Sequence, residues 1–256
     1  MSVLLVEQPQ NGVVLLRINR PEARNAINKE VRDRLQEEFA RLSTDPAVLC
    51  VVITGDEKAF AAGADIMEMA YASPVDAFGR GIEEYWRTVA ACPKPVIAAV
   101  NGYALGGGCE LMMTADIIIA GEGAQLGLPE IRVGILPGGG GTQRLPRAVG
   151  KYKALKMMLT AEFISGREAS DMGLVSEVTA DDQVLPRALE LAGKIAKLPP
   201  LSARMIKETV LAGLDTSMDV GLKLERKAIY FLFSTEDKKE GMKAFIEKRK
   251  PEFKGK

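Results

Sequence analysis

The chain contains no histidine. That excludes a Ser-His-Asp triad, a Cys-His pair, a HExxH zinc site and an imidazole proton shuttle within one copy of the chain. Acid–base chemistry is left to carboxylates, lysines, tyrosines or cysteines. The three cysteines, Cys50, Cys92 and Cys109, lie far apart and form no CxxC pair. Zinc ribbons and redox dithiols are therefore disfavoured, and reduced structural thiols are expected. No apolar run approaches the ~20 residues of a membrane span. Met1 leads into a strand-like segment without signal-peptide flanks, so a cytoplasmic protein is expected, with a mature organellar protein stripped of its presequence as the alternative. Neither sign of charge is in excess: 34 Lys and Arg meet 34 Asp and Glu, which argues against a general nucleic-acid binder driven by counterion release.

The 256 residues are 47% hydrophobic and 27% charged, a globular profile with ample material for a core. Charge is unevenly distributed. Residues 223–256 carry eleven Lys or Arg against six Asp or Glu, a net +5, so the preceding part is at −5.

Apolar runs at 3–6 and 13–18 flank Asn11-Gly12 and predict a hairpin. Asn28 is a fitting N-cap for a helix over 29–42, where Val31, Leu35, Phe39 and Leu42 recur at helical spacing. Strands are expected at 49–54, 96–100 and 117–120, with helices at 74–89 and 107–114. Beyond about residue 140 strand signals thin out, and helices are predicted at 151–159, 166–172, 184–198, 201–212, 218–233 and 237–248. The pattern reads as an α/β core over 1–195 followed by a helical C-terminal region over 196–256 that packs on the core or on another subunit.

Three clusters hold many of the 25 glycines. They are AAGAD at 61–65, GYALGGGCE at 102–110 and PGGGGTQ at 137–143. None is a GxGxxG in strand–turn–helix context, and no GxxxxGK[ST] occurs. In the second cluster a strand, a glycine turn and a helix from Gly107 would expose backbone N–H groups and a positive dipole end to a ligand oxygen. Glu110 falls three residues on, beside those donors. The same residues also fit a helix that packs closely and a first-turn carboxylate that merely suits the dipole. Glu130, introduced by Leu128-Pro129, fits a second acid–base group or a solvated surface acid. A spacing of twenty keeps the two glutamates off one helix, so only the fold can bring them together.

The stretches FAAGAD at 60–65, NGYALGGGCE at 101–110, GLPE at 127–130 and PGGGGTQRL at 137–145 resemble the signatures of the enoyl-CoA hydratase (crotonase) family. Asn19-Arg20-Pro21 with Asn25-Ala26, and the segments 239–241 and 245–249, fit as well, so the resemblance spans the chain in order. It implies a crotonase-like spiral of ββα units with a C-terminal helical region, commonly trimers paired into hexamers, and an acyl-CoA thioester substrate. It implies no metal or separate cofactor, CoA being part of the substrate. It also implies that Glu110 and Glu130 are the catalytic acid–base pair, with the N–H groups of Ala64 and Gly107 as oxyanion hole. Ala62, Asp65 and Ile66 would lie with Ala64 around the adenine side of CoA. Arg24 and Lys58 would be candidates for phosphate contacts, Gly138 would line the pocket, and Lys248 would reach CoA from its own or a neighbouring subunit. An ordinary solvated charge is the competing reading for Lys248. Tyr71, Tyr85 and Trp86 are candidates for the acyl channel, with core packing as the alternative. Ile229 departs from relatives that present an aromatic near the nucleotide.

The expected activity is addition of water across the 2,3 double bond of a 2-enoyl-CoA, in fatty-acid or aromatic-acid degradation. The alternatives are a Δ3,Δ2-enoyl-CoA isomerase, which needs only the carboxylate at 130, and an RNA-binding relative. The mixed charges at 29–38 argue against RNA.

Overall fold

The computed structural model describes residues 2–73, 75 and 81–256. The expected helix over 74–89 falls partly outside them, and its described portion is Ile82–Ala90.

The hairpin forms as the sequence predicts: β1 (Leu4–Gln10) pairs antiparallel with β2 (Val13–Ile18) around Gly12, whose φ is +74°. Parallel strands β3 (Cys50–Thr54), β5 (Val96–Val100), β7 (Ile117–Gly121) and β10 (Glu177–Thr179) extend it into a six-stranded sheet of order β1-β2-β3-β5-β7-β10. β3 and β5 are buried throughout, as central parallel strands covered on both faces must be. Their alternation assigns the two faces. Val51, Ile53, Val96 and Ala98 point toward a core shared with Phe60, Ala104, Leu126 and the helix α1 (Lys29–Thr44). Cys50, Val52, Ile97 and Ala99 meet Val184, Ala188 and Ala192 of a helix at Val184–Ile195. Asn28 caps α1 as expected, its side chain accepting from Val31 N at 3.0 Å.

Three strands too short for a period-2 signal, β4 (Ala59–Ala61), β6 (Tyr103–Leu105) and β8 (Gln125–Gly127), form a second sheet with β9 (Ile164–Ser165) in the order β4-β6-β8-β9. The cluster 102–108 is thus a strand as well as a turn. The chain repeats one path: a strand in the large sheet, a short strand in the small one, then a helix or helical turn. β4, β6 and β8 run parallel, with Ala61 opposite Ala104 and Leu105 opposite Gly127, so the segments leaving their C-terminal ends lie side by side.

Those segments are α2 (Ile66–Met69), α4 (Gly107–Met112) and a 3₁₀ turn at Glu130–Val133, while α3 is the Ile82–Ala90 helix. Gly108 explains the tight seat of α4: a Cβ there would run into the carbonyl of Ala61 on β4. Asn25, fully buried, fastens the chain before α1 to this sheet by donating to Ala59 O at 2.7 Å and accepting from Arg20 N at 2.8 Å.

Helix α5 (Gly141–Val149), which contains Pro146, was not expected from the sequence. It is followed by α6 (Lys151–Thr160), α7 (Gly166–Asp171) and α8 (Val184–Ile195). The chain ends in α9 (Pro200–Leu214), α10 (Met218–Phe233) and α11 (Glu236–Ile246). α9 and α10 bury no residue fully. No helix among the described residues is long and apolar enough to cross a membrane.

Candidate active site

The three parallel C-terminal ends converge on one cavity of about 520 Å³. Each repeat contributes at an equivalent place: Ala64 just after β4, Gly107 just after β6, Glu130 just after β8. This is where open α/β sheets place ligands, outside the carboxyl ends of strands.

Ala64 and Gly107 supply donors. The loop at Ala64 is held against Ile27, with Ile27 N donating to Gly63 O at 2.8 Å and Asp65 N to Ile27 O at 3.2 Å. That pairing skips Ala64 N. Gly107 opens α4, where a backbone N–H has no intrahelical acceptor. Neither N–H donates to an acceptor among the described residues. A Cβ built on Gly107 would lie 3.6 Å from Ala64 N, so the two donors border one small volume.

Glu110 sits one helical turn further, only 3% exposed. Its Oε1 accepts from Gly139 N and Gly141 N, both at 2.8 Å. Burial pushes this carboxyl above its ordinary value, while the two N–H groups and the guanidinium of Arg144 pull the other way. Arg144 also clamps the glycine-rich loop, donating to Gly139 O at 2.9 Å.

Glu130 opens the 3₁₀ turn opposite, and its Oε2 is buried without a hydrogen-bond partner. Burial first, and the nearby Glu110 carboxylate in addition, push its pKa up to about 7. Two desolvated carboxyls in one cavity thus differ in support, Glu110 held by two N–H donors from the glycine-rich loop and a cation, Glu130 only by its own backbone N–H. Such a pair divides into a base and an acid.

The other expected residues are placed as follows. Ala62, Ile66 and Gly138 line the same cavity. Asp65 N-caps α2, accepting from Met67 N at 3.2 Å, and pairs with Arg20 at 3.2 Å. Arg24 adopts a left-handed backbone and stacks over Tyr103, 5.7 Å from the ring centroid. Lys58 is not brought to this cavity; it borders a separate cleft with Arg17, Asn101 and Asp181. Lys248 is exposed just beyond α11. Trp86 lines the cavity and is 4% exposed, whereas Tyr85 donates to Asp33 at 2.8 Å and Tyr71 is 92% exposed. The cations of α1 are ion-paired, Lys29 with Asp33, Arg34 with Glu37 and Glu38, and Arg41 with Glu38.

Sequence reasoning missed Gly139, Gly141 and Arg144 as the support of Glu110. Their cluster was visible, but its target, 29 and 31 residues back in the chain, is set by tertiary packing. Among the described residues no group of acidic or cysteine side chains could hold a metal ion.

A family model described as enoyl-CoA hydratase/isomerase matches residues 8–256. The chain is 48% identical over 244 residues to a mitochondrial enoyl-CoA hydratase of Pongo abelii, covering 95% of this chain and 84% of that protein. It is 46% identical to the 2,3-dehydroadipyl-CoA hydratase of Escherichia coli K12 over the full length of both. A crystal structure of an enoyl-CoA hydratase from Bacillus anthracis superposes with a TM-score of 0.96 at 37% identity, covering 99% of this chain and 100% of that one. Fold, motif order and full-length similarity agree that the chain belongs to the enoyl-CoA hydratase/isomerase family.

Proposed function

We propose that the protein is an enoyl-CoA hydratase in which Glu110 and Glu130 divide the proton transfers and the N–H groups of Ala64 and Gly107 bind the thioester oxygen. The observation that carries this reading is the pair of carboxyls in unequal environments at the mouth of two unpartnered backbone donors.

The thioester C=O of a 2-enoyl-CoA accepts from Ala64 N and Gly107 N, which withdraws electron density from C3. Water gives one proton to Glu110 and forms the C3–O bond, and the C2=C3 π pair moves into an enolate held by the same donors. Glu130 gives its proton to C2. Glu110 then carries the proton taken from water and Glu130 is left without one, and proton exchange with solvent restores the pair. Each step reverses, so the site dehydrates a 3-hydroxyacyl-CoA by the same route.

Ala62, Asp65 and Ile66 lie around the adenine side of CoA in this reading, Gly138 lines the pocket next to Glu130, and Arg24, Lys58 and Lys248 are the phosphate candidates. Lys58 has the weakest support, since it borders the other cleft. The acyl group is a short 2-enoyl chain, with 2,3-dehydroadipyl-CoA as the named substrate of a relative that matches end to end. An RNA-binding role draws no support from α1, where acidic neighbours neutralise the cations.

The helical region over 196–256 is proposed to build a trimer or a dimer of trimers, in the cytoplasm. Leu214, Met218, Tyr230, Phe245 and Ile246 on α9 to α11 are each more than two-thirds exposed, and an apolar surface of that extent marks an interaction site.

A panel of 2-enoyl-CoA thioesters, followed by loss of the conjugated enoyl absorbance, tests the function. The reading predicts hydration of crotonyl-CoA or dehydroadipyl-CoA; no change with any member contradicts it.

A further inference from the structure

Trp86, on α3, is a buried indole whose Nε1 has no hydrogen-bond partner. A buried donor left unpaired is costly, and such an orphan is accounted for by strain, a catalytic role or a bound water or ion. Glu130 Oε2 is a second orphan. Glu110 takes both of its backbone bonds on Oε1, leaving Oε2 free of them. All three residues line the same cavity.

Gly139 shows how they meet. A Cβ on Gly139 would collide with the indole nitrogen and lie 2.7 Å from Glu110 Oε2. The nitrogen and that oxygen therefore both lie against the bare hydrogen side of Gly139, in the cavity that Glu130 also lines. The benzo edge of the same ring lies toward Gly107, 3.8 Å from where a Cβ there would sit.

We propose that Trp86 is a positioning residue for hydration, its indole N–H donating to the water molecule that Glu110 activates. A water so held accepts from Trp86 Nε1, donates to Glu110 Oε2 and to Glu130 Oε2, and keeps one lone pair for C3. Two to four polar partners are what an ordered internal water requires. The assignment rests on the hydratase reading above. It separates the two halves of the chemistry: attack by water needs Trp86, while proton exchange at C2 needs Glu130 and the backbone donors alone.

Trp86 is the single tryptophan of the chain, so growth of a tryptophan auxotroph on 3-benzothienylalanine replaces this residue only. Sulfur then stands in place of N–H and the fused-ring shape is kept. With crotonyl-CoA, kcat for hydration is expected to fall at least fivefold at unchanged KM. Exchange of the C2 protons of butyryl-CoA with deuterium oxide is expected to remain within twofold of wild type. A fall in hydration of less than fivefold, or a parallel loss of both reactions, overturns the role of Trp86. Wild-type enzyme that hydrates nothing refutes the hydratase reading along with it.

Discussion

At the scale of residues, the proposed site gives two identical side chains unlike surroundings. Glu130 bears the cost of its position in the fold. Its folded pKa of about 7 lies above the ordinary 4.5, so the folded chain binds this proton more tightly than the unfolded chain does. Its contribution to stability therefore declines as pH rises from about 4.5 to about 7 and stays low above that. Glu130→Gln removes the penalty: denaturant unfolding at pH 8 is expected to show the variant more stable than wild type by on the order of 1–2 kcal/mol, solvent near the carboxyl reducing the full effect. The difference should vanish below about pH 3.5, where the carboxyl is protonated in both the folded and the unfolded wild type. Equal stability at pH 8 would place Glu130 in a well-solvated setting. Arg144 acts at the same scale on the other carboxyl. Arg144→Gln takes away the cation and the clamp on Gly139 O, so the acidic limb of the kcat profile, set by ionisation of Glu110, is expected to move to higher pH. An unmoved limb would detach Arg144 from Glu110.

At the scale of elements, what positions the chemistry is the end of each short strand. The long elements were legible in the sequence because their signals are local. The 3.6-residue recurrence of Val31, Leu35, Phe39 and Leu42 marks α1, and Asn28 marks its start. The apolar runs at β3 and β5 read as buried strands for the same reason. β4, β6 and β8, three residues each, carry no period to read and exist because a parallel neighbour supplies their hydrogen bonds. α5 was hidden by three preceding glycines, a fourth at its first position and Pro146, residues that normally argue against a helix. The glutamates were visible as candidates and their meeting was not, since it depends on β6 and β8 lying in register. Close packing of α4 on β4 is the element on which the donors depend. Gly108→Ala puts a methyl into the Ala61 carbonyl; a loss of about 1–3 kcal/mol in unfolding free energy is expected, with kcat reduced because Gly107 and Ala64 are moved apart. A variant with wild-type stability and activity would contradict that account of the seat.

At the scale of the molecule, the neutral total charge resolves into an acidic body and a basic C-terminal region, and the apolar surface gathers on that same region. α9 and α10 pack chiefly on each other and leave apolar side chains outward. Light scattering is expected to give a mass of three or six chains. Leu214→Asp combined with Tyr230→Asp should shift it toward one, and an unchanged mass would move the interface elsewhere. The central claim, that one spiral brings two separately encoded glutamates to one thioester with different tasks, is tested most directly by comparing Glu110→Gln and Glu130→Gln in deuterium oxide. Hydration of crotonyl-CoA and C2 proton exchange of butyryl-CoA are followed side by side. The account predicts that both variants lose hydration by about 10²- to 10⁴-fold, and that exchange persists in Glu110→Gln but is abolished in Glu130→Gln. Exchange that survives without Glu130, or hydration that survives without either carboxylate, would contradict it.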